Sequence, residues 1–268
     1  MTCLTQAHVL ITGAASGLGR LLALEAGARG AKVSLLDRDE GGLARVKGEV
    51  EALGAKAGAF ACDLRDRAHL RGVLEAVEAE MGGVDVLVNN AGVVSGKPLL
   101  EATEEAIDLT FQVNALAPFW TTRALLPGMI ARGRGHVVTV ASAGGLVGTT
   151  RLVDYCASKF AAVGFDDALR AEMRRLGAPI RTTVVCPFYI DTGMFAGVKT
   201  RLPWLLPILK PEAVVRRVIR AIERDQPRLL MPWAVHLVNP LRLLPVRWFD
   251  TLMAWLGVSA SMDDFRGR

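Results

Sequence analysis

Two side chains in the second half of the chain have the types and spacing needed for proton transfer. Tyr155 and Lys159 are four residues apart, so on a helix they would share one face. A phenol is a poor base at neutral pH, but a nearby ammonium stabilises the phenolate and lowers its pKa. Such pairs are also common on exposed helix faces. Ser142, upstream of both, could hold a substrate oxygen by a hydrogen bond while Tyr155 exchanges its proton.

A glycine-rich turn near the start of the chain is suited to binding a phosphate. Thr12–Gly19 (TGAASGLG) follows a short apolar run and precedes a helical stretch. Glycines let the backbone approach a pyrophosphate, and a helix N-terminus offers free N–H groups and the positive end of a dipole. The residues expected to contact the dinucleotide here are Gly13, Ser16, Gly17, Leu18 and Gly19.

An acidic residue at the end of the second apolar run bears on which dinucleotide binds. Asp37 could accept hydrogen bonds from a ribose 2′-OH and would repel a 2′-phosphate, so NAD is favoured over NADP. The adjacent Arg38 could pair with a phosphate, which leaves NADP open.

Short apolar runs alternate with longer amphipathic stretches over most of the chain. The expected strands are His8–Thr12, Lys32–Leu36, Ala57–Cys62, Val84–Val88, His136–Val140, Arg181–Val185 and Arg228–Met231, with helices between them. Apolar strands separated by helices predict βαβ units and a parallel sheet covered on both faces. We therefore expect a doubly wound α/β Rossmann fold with about seven strands.

The motifs along the first 190 residues resemble the classical short-chain dehydrogenases/reductases. Thr12–Gly19 is similar to the family's TGxxxGxG turn, Asp63-Leu64 to its adenine-side pair, and Asn89–Gly92 to its NNAG element. Tyr155–Lys159 is similar to its catalytic YxxxK motif. The resemblance implies an NAD(P)-dependent oxidoreductase acting on an alcohol or its carbonyl, with Asp63, Leu64, Asn90, Ala91 and Gly92 at the cofactor.

The resemblance also implies a role for each candidate catalytic residue. Tyr155 would be the general acid/base, and Lys159 would tune it and bind the nicotinamide ribose. Ser142 would orient the substrate, and Asn114 would hold Lys159 through a water. Pro187, Ile190 and Thr192 match the family's segment beside the nicotinamide carboxamide, whereas Phe188 stands where the family usually has glycine.

An apolar segment follows this motif, at the place where the family has its substrate-binding loop. We expect a lid over about 188–210, with Phe188, Met194, Phe195 and Trp204 beside Ser142 and Tyr155 at the substrate. An apolar lid suits a lipophilic substrate and excludes water. Core packing would demand a similar composition.

The net charge of +5 lies entirely in the last quarter of the chain. Residues 1–199 carry 21 basic and 21 acidic side chains, whereas residues 200–268 carry 11 and 6. The same tail holds Trp204, Trp233, Trp248 and Trp255. We expect a dehydrogenase domain over 1–232 and an apolar, basic extension over 233–268. The extension would serve either membrane-surface contact or packing, against another protein chain or within the molecule.

Several classes of protein are disfavoured. A basic tail on a neutral body does not resemble a nucleic-acid groove. The four cysteines and four histidines lack metal-ligand spacing, so we expect no metal site. Met1–Gln6 leads almost directly into a strand and no long apolar run occurs, which favours a cytoplasmic protein without signal peptide or spanning helix. A GxSxG setting for a serine hydrolase is absent.

Within the family, the body most resembles the 17-beta-hydroxysteroid dehydrogenases types 11 and 13 and their retinol dehydrogenase relatives. The likeness rests on Phe119–Pro127, Ser158–Phe165, Cys186-Pro187 and Thr192-Gly193. It implies a lipophilic secondary or allylic alcohol as substrate and a homodimer or homotetramer. An NADPH-dependent carbonyl or 3-oxoacyl reductase is the alternative, and a non-enzymatic nucleotide sensor is disfavoured by the intact catalytic set.

Overall fold

The computed structural model describes residues 1–267, and a seven-stranded parallel sheet forms its centre. The strands are β1 (His8–Thr12), β2 (Lys32–Asp37), β3 (Ala57–Ala61), β4 (Val86–Asn89), β5 (Gly135–Val140), β6 (Ile180–Pro187) and β7 (Arg228–Met231). Their order across the sheet is β3-β2-β1-β4-β5-β6-β7. The chain reverses its direction of winding between β1 and β4, which is where open parallel sheets bind ligands. The predicted doubly wound Rossmann fold is confirmed.

Helices cover both faces of this sheet. They are α1 (Gly17–Ala28), α2 (Glu40–Glu51), α3 (Arg67–Met81), α4 (Glu104–Phe111), α5 (Ala117–Ala131), α6 (Val153–Arg175), α7 (Pro211–Glu223), α8 (Val238–Leu241) and α9 (Val246–Trp255). A π-helical turn, Gln112–Leu116, joins α4 to α5. Each expected strand begins and ends within two residues of the observed strand.

Two apolar layers hold the sheet between the helices. Side chains alternate along a strand, so Val9 and Ile11 face α1, α2 and α7, whereas Leu10 faces α3, α5 and α6. These strand residues are almost completely buried. The result is a rigid platform whose carboxyl-terminal edge carries the loops of the site.

Part of the segment after β7 is buried against the body. On α9, Phe249 and Met253 are buried in a cluster that includes Leu206 of the predicted lid, and Val258 follows in the same cluster. Intramolecular packing, one of the two expected roles of the extension, therefore accounts for this inner face. Arg268, the last residue of the predicted extension, lies outside the described residues.

The outer face of the same segment exposes three tryptophans, and Trp204 of the predicted lid is exposed as well. Trp204, Trp233, Trp248 and Trp255 are between 59% and 75% exposed. Within residues 1–267, no helix combines the length and the apolar character that crossing a bilayer requires.

Candidate active site

A cavity of about 890 Å³ lies at the carboxyl-terminal edge of the sheet. Its walls come from the loops after β1 to β6 and from the first turns of α6. All the residues predicted to bind the cofactor line this cavity, from Gly13 in the first loop to Thr192 after β6. Positions far apart in the chain are thus brought to one site.

The glycine-rich turn forms the end of the cavity nearest α1. Gly13 and Gly17 have φ values of +65° and +53°, a conformation that favours glycine. A Cβ at Gly19 would collide with the carbonyl oxygen of Gly13. Ser16 begins the helix in extended conformation, and within the described structure no side chain caps the first turn. The N–H groups and the positive dipole end of α1 therefore suit the pyrophosphate of a dinucleotide.

Asp37 stands beside this turn at the end of β2. Its Oδ2 accepts a hydrogen bond from the Ala15 backbone N–H at 3.0 Å, and its Oδ1 accepts one from Asp39 N–H at 3.1 Å. Each carboxylate oxygen keeps a second lone pair for a ribose hydroxyl. Arg38 also lines the cavity, with an exposed side chain.

The loop after β3 forms the next part of the wall. Asp63 and Leu64 both line the cavity, as the family resemblance implies. Arg65 donates from Nε and Nη2 to the Asp63 carboxylate, and these hydrogen bonds hold the pKa of that carboxyl below its usual value. The arginine was not among the expected residues.

The loop after β4 is fixed to the glycine-rich turn by side-chain hydrogen bonds. Thr12 Oγ1 accepts from the N–H groups of Asn90 and Ala91 at 3.0 and 3.1 Å. Asn90 Nδ2 donates to the Thr12 carbonyl oxygen at 2.9 Å. The predicted NNAG element thus holds the two central loops of the switch point together.

Tyr155 and Lys159 lie one turn apart on α6, and both are buried at the cavity wall. Lys159 Nζ donates to the Val140 carbonyl oxygen at 2.8 Å and lies 5.7 Å from the centre of the Tyr155 ring. Ser142 follows β5, and its Oγ accepts from Gly144 N–H at 3.0 Å. The three predicted side chains therefore meet at one wall of the cavity.

Asn114 lies in the π-helical turn behind this wall and does not line the cavity. Its Nδ2 donates to the Val93 carbonyl oxygen at 2.9 Å, and its Oδ1 accepts from Val93 N–H at 2.8 Å. A Cβ at Gly92 would lie 3.4 Å from Asn114 Oδ1 and 3.6 Å from Lys159 Nζ. Gly92 therefore lies close to the polar ends of both Asn114 and Lys159.

Burial is the largest influence on the pKa values of both Tyr155 and Lys159. It raises the pKa of Tyr155, although the hydrogen bond with Ser142 acts in the opposite direction. It lowers the pKa of Lys159 to about 8. The sequence predicts that Lys159 lowers the pKa of Tyr155, whereas in the folded chain burial of the phenol has the largest influence on that pKa and raises it.

Apolar and aromatic side chains from the segment after β6 form another part of the wall. Phe188, Met194 and Phe195 line the cavity as expected. The Phe195 ring centre lies 5.6 Å from that of Tyr155 and 5.1 Å from that of Tyr189. Edge-on aromatic contacts of this kind favour a defined, apolar wall.

Other cavity residues were not predicted. They include Tyr189 after β6, Leu109 and Val113 before and within the π-helical turn, and Val258 and Arg266 near the end of the chain. The sequence offered no periodic signal for the last two, because their place depends on how the extension folds back. Tyr189 is, with Tyr155, one of only two tyrosines in the chain, which could have drawn attention to it.

Trp204 is the predicted substrate residue that the structure places elsewhere. Its side chain is 75% exposed and does not line the cavity. Leu206, two residues later, is 8% exposed and takes the inward position. The lid expected over about 188–210 thus contributes its first part to the cavity and turns Trp204 outward.

A switch-point cavity with a phosphate-binding turn and a buried tyrosine–lysine pair defines a nicotinamide-dependent oxidoreductase. The model of the short chain dehydrogenase family matches residues 7–202. The chain belongs to the short-chain dehydrogenase/reductase family.

Curated relatives align over nearly the whole chain. Epidermal retinol dehydrogenase 2 of Homo sapiens is 42% identical over 262 residues, which cover 96% of this chain and 84% of the relative. Short-chain dehydrogenase/reductase family 16C member 6 of Bos taurus is 41% identical over 260 residues, covering 96% and 82%. Retinol dehydrogenase 10 of Homo sapiens is 40% identical over 285 residues, covering 96% and 84%.

Solved structures share the fold. A short-chain dehydrogenase/reductase from Burkholderia phymatum in complex with NAD superposes with a TM-score of 0.83 at 26% identity, covering 92% of this chain and 96% of the other. A metagenomic short-chain oxidoreductase in complex with NADP gives a TM-score of 0.71 at 30% identity, covering 85% and 96%. Both nicotinamide cofactors thus occur among structures similar to this chain.

Proposed function

We propose that the protein interconverts a lipophilic alcohol of the retinoid, steroid or long-chain type and its carbonyl compound, using NAD in preference to NADP. The observation that carries this proposal is the meeting of Ser142 and Tyr155 with an aromatic wall in one cavity. A polar pair set against apolar rings suits a ligand that has one hydroxyl on a large hydrocarbon body. Three relatives with about 40% identity, two of them named as retinol dehydrogenases, support the same substrate class.

In this proposal, Ser142 and Tyr155 both act on the substrate oxygen. The Ser142 hydroxyl donates a hydrogen bond to that oxygen, and Tyr155 accepts the alcohol proton during oxidation or returns it during reduction. Lys159, held at the Val140 carbonyl, places an ammonium beside the Tyr155 ring and favours the phenolate. The nicotinamide, when bound, accepts or supplies the hydride.

Asn114 supports Lys159 in the same proposal. Its amide fixes the Val93 backbone, and Gly92 lies close to both this amide and Lys159 Nζ. A water bridging the amide and the ammonium would keep Lys159 in place and connect it to solvent.

The preference for NAD follows from the charge at the end of β2. Asp37 is fixed by two backbone N–H groups and lines the cavity. A carboxylate held there can accept from a ribose hydroxyl, whereas a 2′-phosphate would meet a like charge. In the proposed complex, Pro187, Ile190 and Thr192 adjoin the nicotinamide end of the cofactor.

A second candidate is an NADPH-dependent carbonyl or 3-oxoacyl reductase. The observation that favours it is Arg38, whose exposed side chain at the cavity could pair with a 2′-phosphate.

Both candidates are tested by one panel assay. Purified protein is given all-trans-retinol, a steroid alcohol, a long-chain secondary alcohol and a 3-oxoacyl thioester, each with NAD(H) and with NADP(H). The proposal expects the highest kcat/KM for a lipophilic alcohol with NAD. Faster reduction of the 3-oxoacyl thioester with NADPH would establish the second candidate instead.

We further propose that residues 1–232 form the catalytic domain and that the extension over 233–268 docks on an anionic lipid surface. On α9, Trp248 and Trp255 are seven residues apart and so share a face, which is exposed. Arg247 adjoins Trp248, and Arg201 stacks over the Trp255 ring at 5.9 Å. Tryptophan and arginine together suit the interface between lipid headgroups and acyl chains.

The proposed assembly is a homodimer or homotetramer. Phe119 on α5 and Phe160 on α6 are 44% and 38% exposed, and Val153 at the start of α6 is 48% exposed. Apolar side chains exposed on two neighbouring helices support a contact with a second copy of the chain.

A further inference from the structure

Asp154, immediately before Tyr155, is a buried carboxylate that the proposed mechanism does not use. It is 4% exposed and lies in the first turn of α6. Its two oxygens are bound by hydroxyl groups from two different parts of the chain. Ser95 Oγ donates to Oδ1 at 3.1 Å, and Thr110 Oγ1 donates to Oδ2 at 3.0 Å.

A second side-chain hydrogen bond joins the same two helical segments one turn further on. Asn114 Nδ2 donates to Ser158 Oγ at 3.1 Å. Thr110 and Asn114 are four residues apart, and so are Asp154 and Ser158, so the two bonds connect matching faces. Tyr155 and Lys159 each follow one of these two α6 residues directly.

The same connections reach the wall of the cavity. Leu109 and Val113, the residues before Thr110 and Asn114, line the cavity. The carboxylate therefore couples the turn that carries Tyr155 to the helix that supplies Leu109 to the cavity wall. Ser95 adds the loop after β4, which also contributes Val93 to the wall.

The first turn of α6 depends on such a contact. Its N-cap residue, Leu152, has no side-chain capping bond within the described residues. A helix end without a cap frays easily, and an acidic residue in the first turn interacts favourably with the helix dipole. Thr110 Oγ1 also lies 2.8 Å from the Ala106 carbonyl oxygen, so its single proton is shared between two acceptors.

We propose that Asp154 is a positioning residue for Tyr155, which it holds against the cavity through its hydrogen bonds to Ser95 and Thr110. Only the kinetic test of this inference rests on the proposed function, because it requires turnover of an alcohol. Asp154 touches neither substrate nor cofactor in this proposal. A small displacement of a reacting group is enough to slow turnover strongly.

The test compares Asp154→Ala with the isosteric Asp154→Asn, which keeps an oxygen acceptor and places an NH2 group toward the other hydroxyl. We expect Asp154→Ala to lower kcat about 10- to 100-fold, with the Kd for NADH unchanged within about twofold. Asp154→Asn should restore kcat to within about threefold of the wild type. Thr110→Val, which keeps the side-chain shape, should lower kcat about 3- to 10-fold. Asp108→Ala, at an exposed carboxylate of α4, is the control.

Amide hydrogen exchange over residues 152–157 gives a readout that needs no turnover. Exchange should rise in Asp154→Ala and in Thr110→Val, but not in Asp154→Asn or Asp108→Ala. If Asp154→Ala no longer binds NADH, the kcat and the amide exchange of Thr110→Val decide whether the inference holds. Wild-type kcat and exchange in Asp154→Ala, or an Asp154→Asn variant as impaired as Asp154→Ala, would overturn the inference. If the wild type turns over no alcohol, the proposed function fails and the exchange data alone decide about Asp154.

Discussion

Burial moves the pKa values of the two central side chains in opposite directions. The pKa of Tyr155 is raised and that of Lys159 is lowered to about 8. The neutral phenol is therefore the resting form at neutral pH, while most of the lysine still carries its charge. A neutral phenol beside an ammonium is ready to donate a proton to a carbonyl oxygen, and the reverse direction requires stabilisation of the phenolate.

The charge at Asp37 gives a prediction at the same scale. Asp37→Asn keeps the side-chain shape and an acceptor for a backbone N–H, but it removes the charge that would face a 2′-phosphate. We expect kcat/KM with NADP relative to NAD to rise about tenfold, which corresponds to about 1.4 kcal/mol. Steady-state kinetics with both cofactors measure the ratio, and an unchanged ratio would show that Asp37 does not select the cofactor.

At the scale of elements, periodicity predicted the strands and helices well but could not reveal the π-helical turn. Helices were expected between the strands, and the structure has α4 and α5 between β4 and β5. The turn between them, Gln112–Leu116, continues the helical pattern with one extra residue in the loop of each hydrogen bond. Asn114 was found from family resemblance, whereas its hydrogen bonds to Val93 and Ser158 depend on this turn.

The path of the C-terminal segment could not be predicted from the sequence for a different reason. Its composition fitted both packing and surface contact, and only the folded chain shows that residues 258–267 cross the predicted lid. The Arg266 N–H donates to the Ala196 carbonyl oxygen at 2.8 Å, and Lys199 pairs with Asp264 at 2.6 Å. Such long-range contacts leave no periodic pattern in the chain.

One hydrogen bond ties this segment to the aromatic wall of the cavity. The Tyr189 hydroxyl lies 2.9 Å from Ser261 Oγ, and both side chains are buried. We expect Tyr189→Phe and Ser261→Ala each to raise the KM for all-trans-retinol about 3- to 10-fold, because the ring loses its anchor. The Kd for NADH should not change.

Ser259→Ala is the matched control for this prediction. Ser259 belongs to the same segment, and among residues 1–267 its hydroxyl makes no side-chain hydrogen bond, although its backbone oxygen accepts one from Thr150. If Ser259→Ala raises the KM as much as Ser261→Ala does, the effect comes from the segment in general and not from the Tyr189 contact.

At the scale of the whole molecule, one buried carboxyl should make stability depend on pH. Asp166 on α6 is fully buried, and within residues 1–267 its Oδ1 has no hydrogen-bond partner. Its Oδ2 accepts from Arg170 at 3.0 Å and from Thr182 at 3.3 Å. Burial raises the pKa of this carboxyl from 3.8 to about 7.

The sign of the effect follows from the bound proton. Between about pH 4 and 7 the folded chain keeps a proton on Asp166 that the unfolded chain has lost, so its contribution to stability falls as pH rises. Asp166→Asn has no such proton. The free energy of unfolding of Asp166→Asn minus that of wild type should therefore be about 1–2 kcal/mol larger at pH 8 than at pH 5, which means that the variant gains relative stability as pH rises.

Urea unfolding at the two pH values measures this difference. Asp250→Asn, at an exposed carboxylate of α9, should show no comparable change. A difference between Asp166→Asn and wild type that is the same at both pH values would contradict the prediction.

The last quarter of the chain combines the excess positive charge with exposed tryptophan side chains. The excess of basic residues and four of the five tryptophans fall in residues 200–268. We expect wild type to co-sediment with vesicles containing phosphatidylserine more than with vesicles of phosphatidylcholine alone. The double variant Trp248→Ala/Trp255→Ala should bind the anionic vesicles about tenfold more weakly, since it loses two exposed rings.

Leu99→Ala/Leu100→Ala serves as the control for the vesicle experiment. It also removes two exposed apolar side chains, but from the loop before α4. Equal vesicle binding by wild type and the tryptophan double variant would mean that the outer face of the extension does not meet lipid.

The central claim is that Tyr155 exchanges the proton of a lipophilic alcohol in the cavity of an NAD-dependent dehydrogenase. The most direct measurement is the rate of NADH formation from all-trans-retinol and NAD by wild type and by Tyr155→Phe, together with the Kd of each for NADH. We expect wild type to form NADH and Tyr155→Phe to have a kcat about 10²- to 10⁴-fold lower, with an unchanged Kd. A Tyr155→Phe protein that oxidises retinol as fast as wild type would contradict the account.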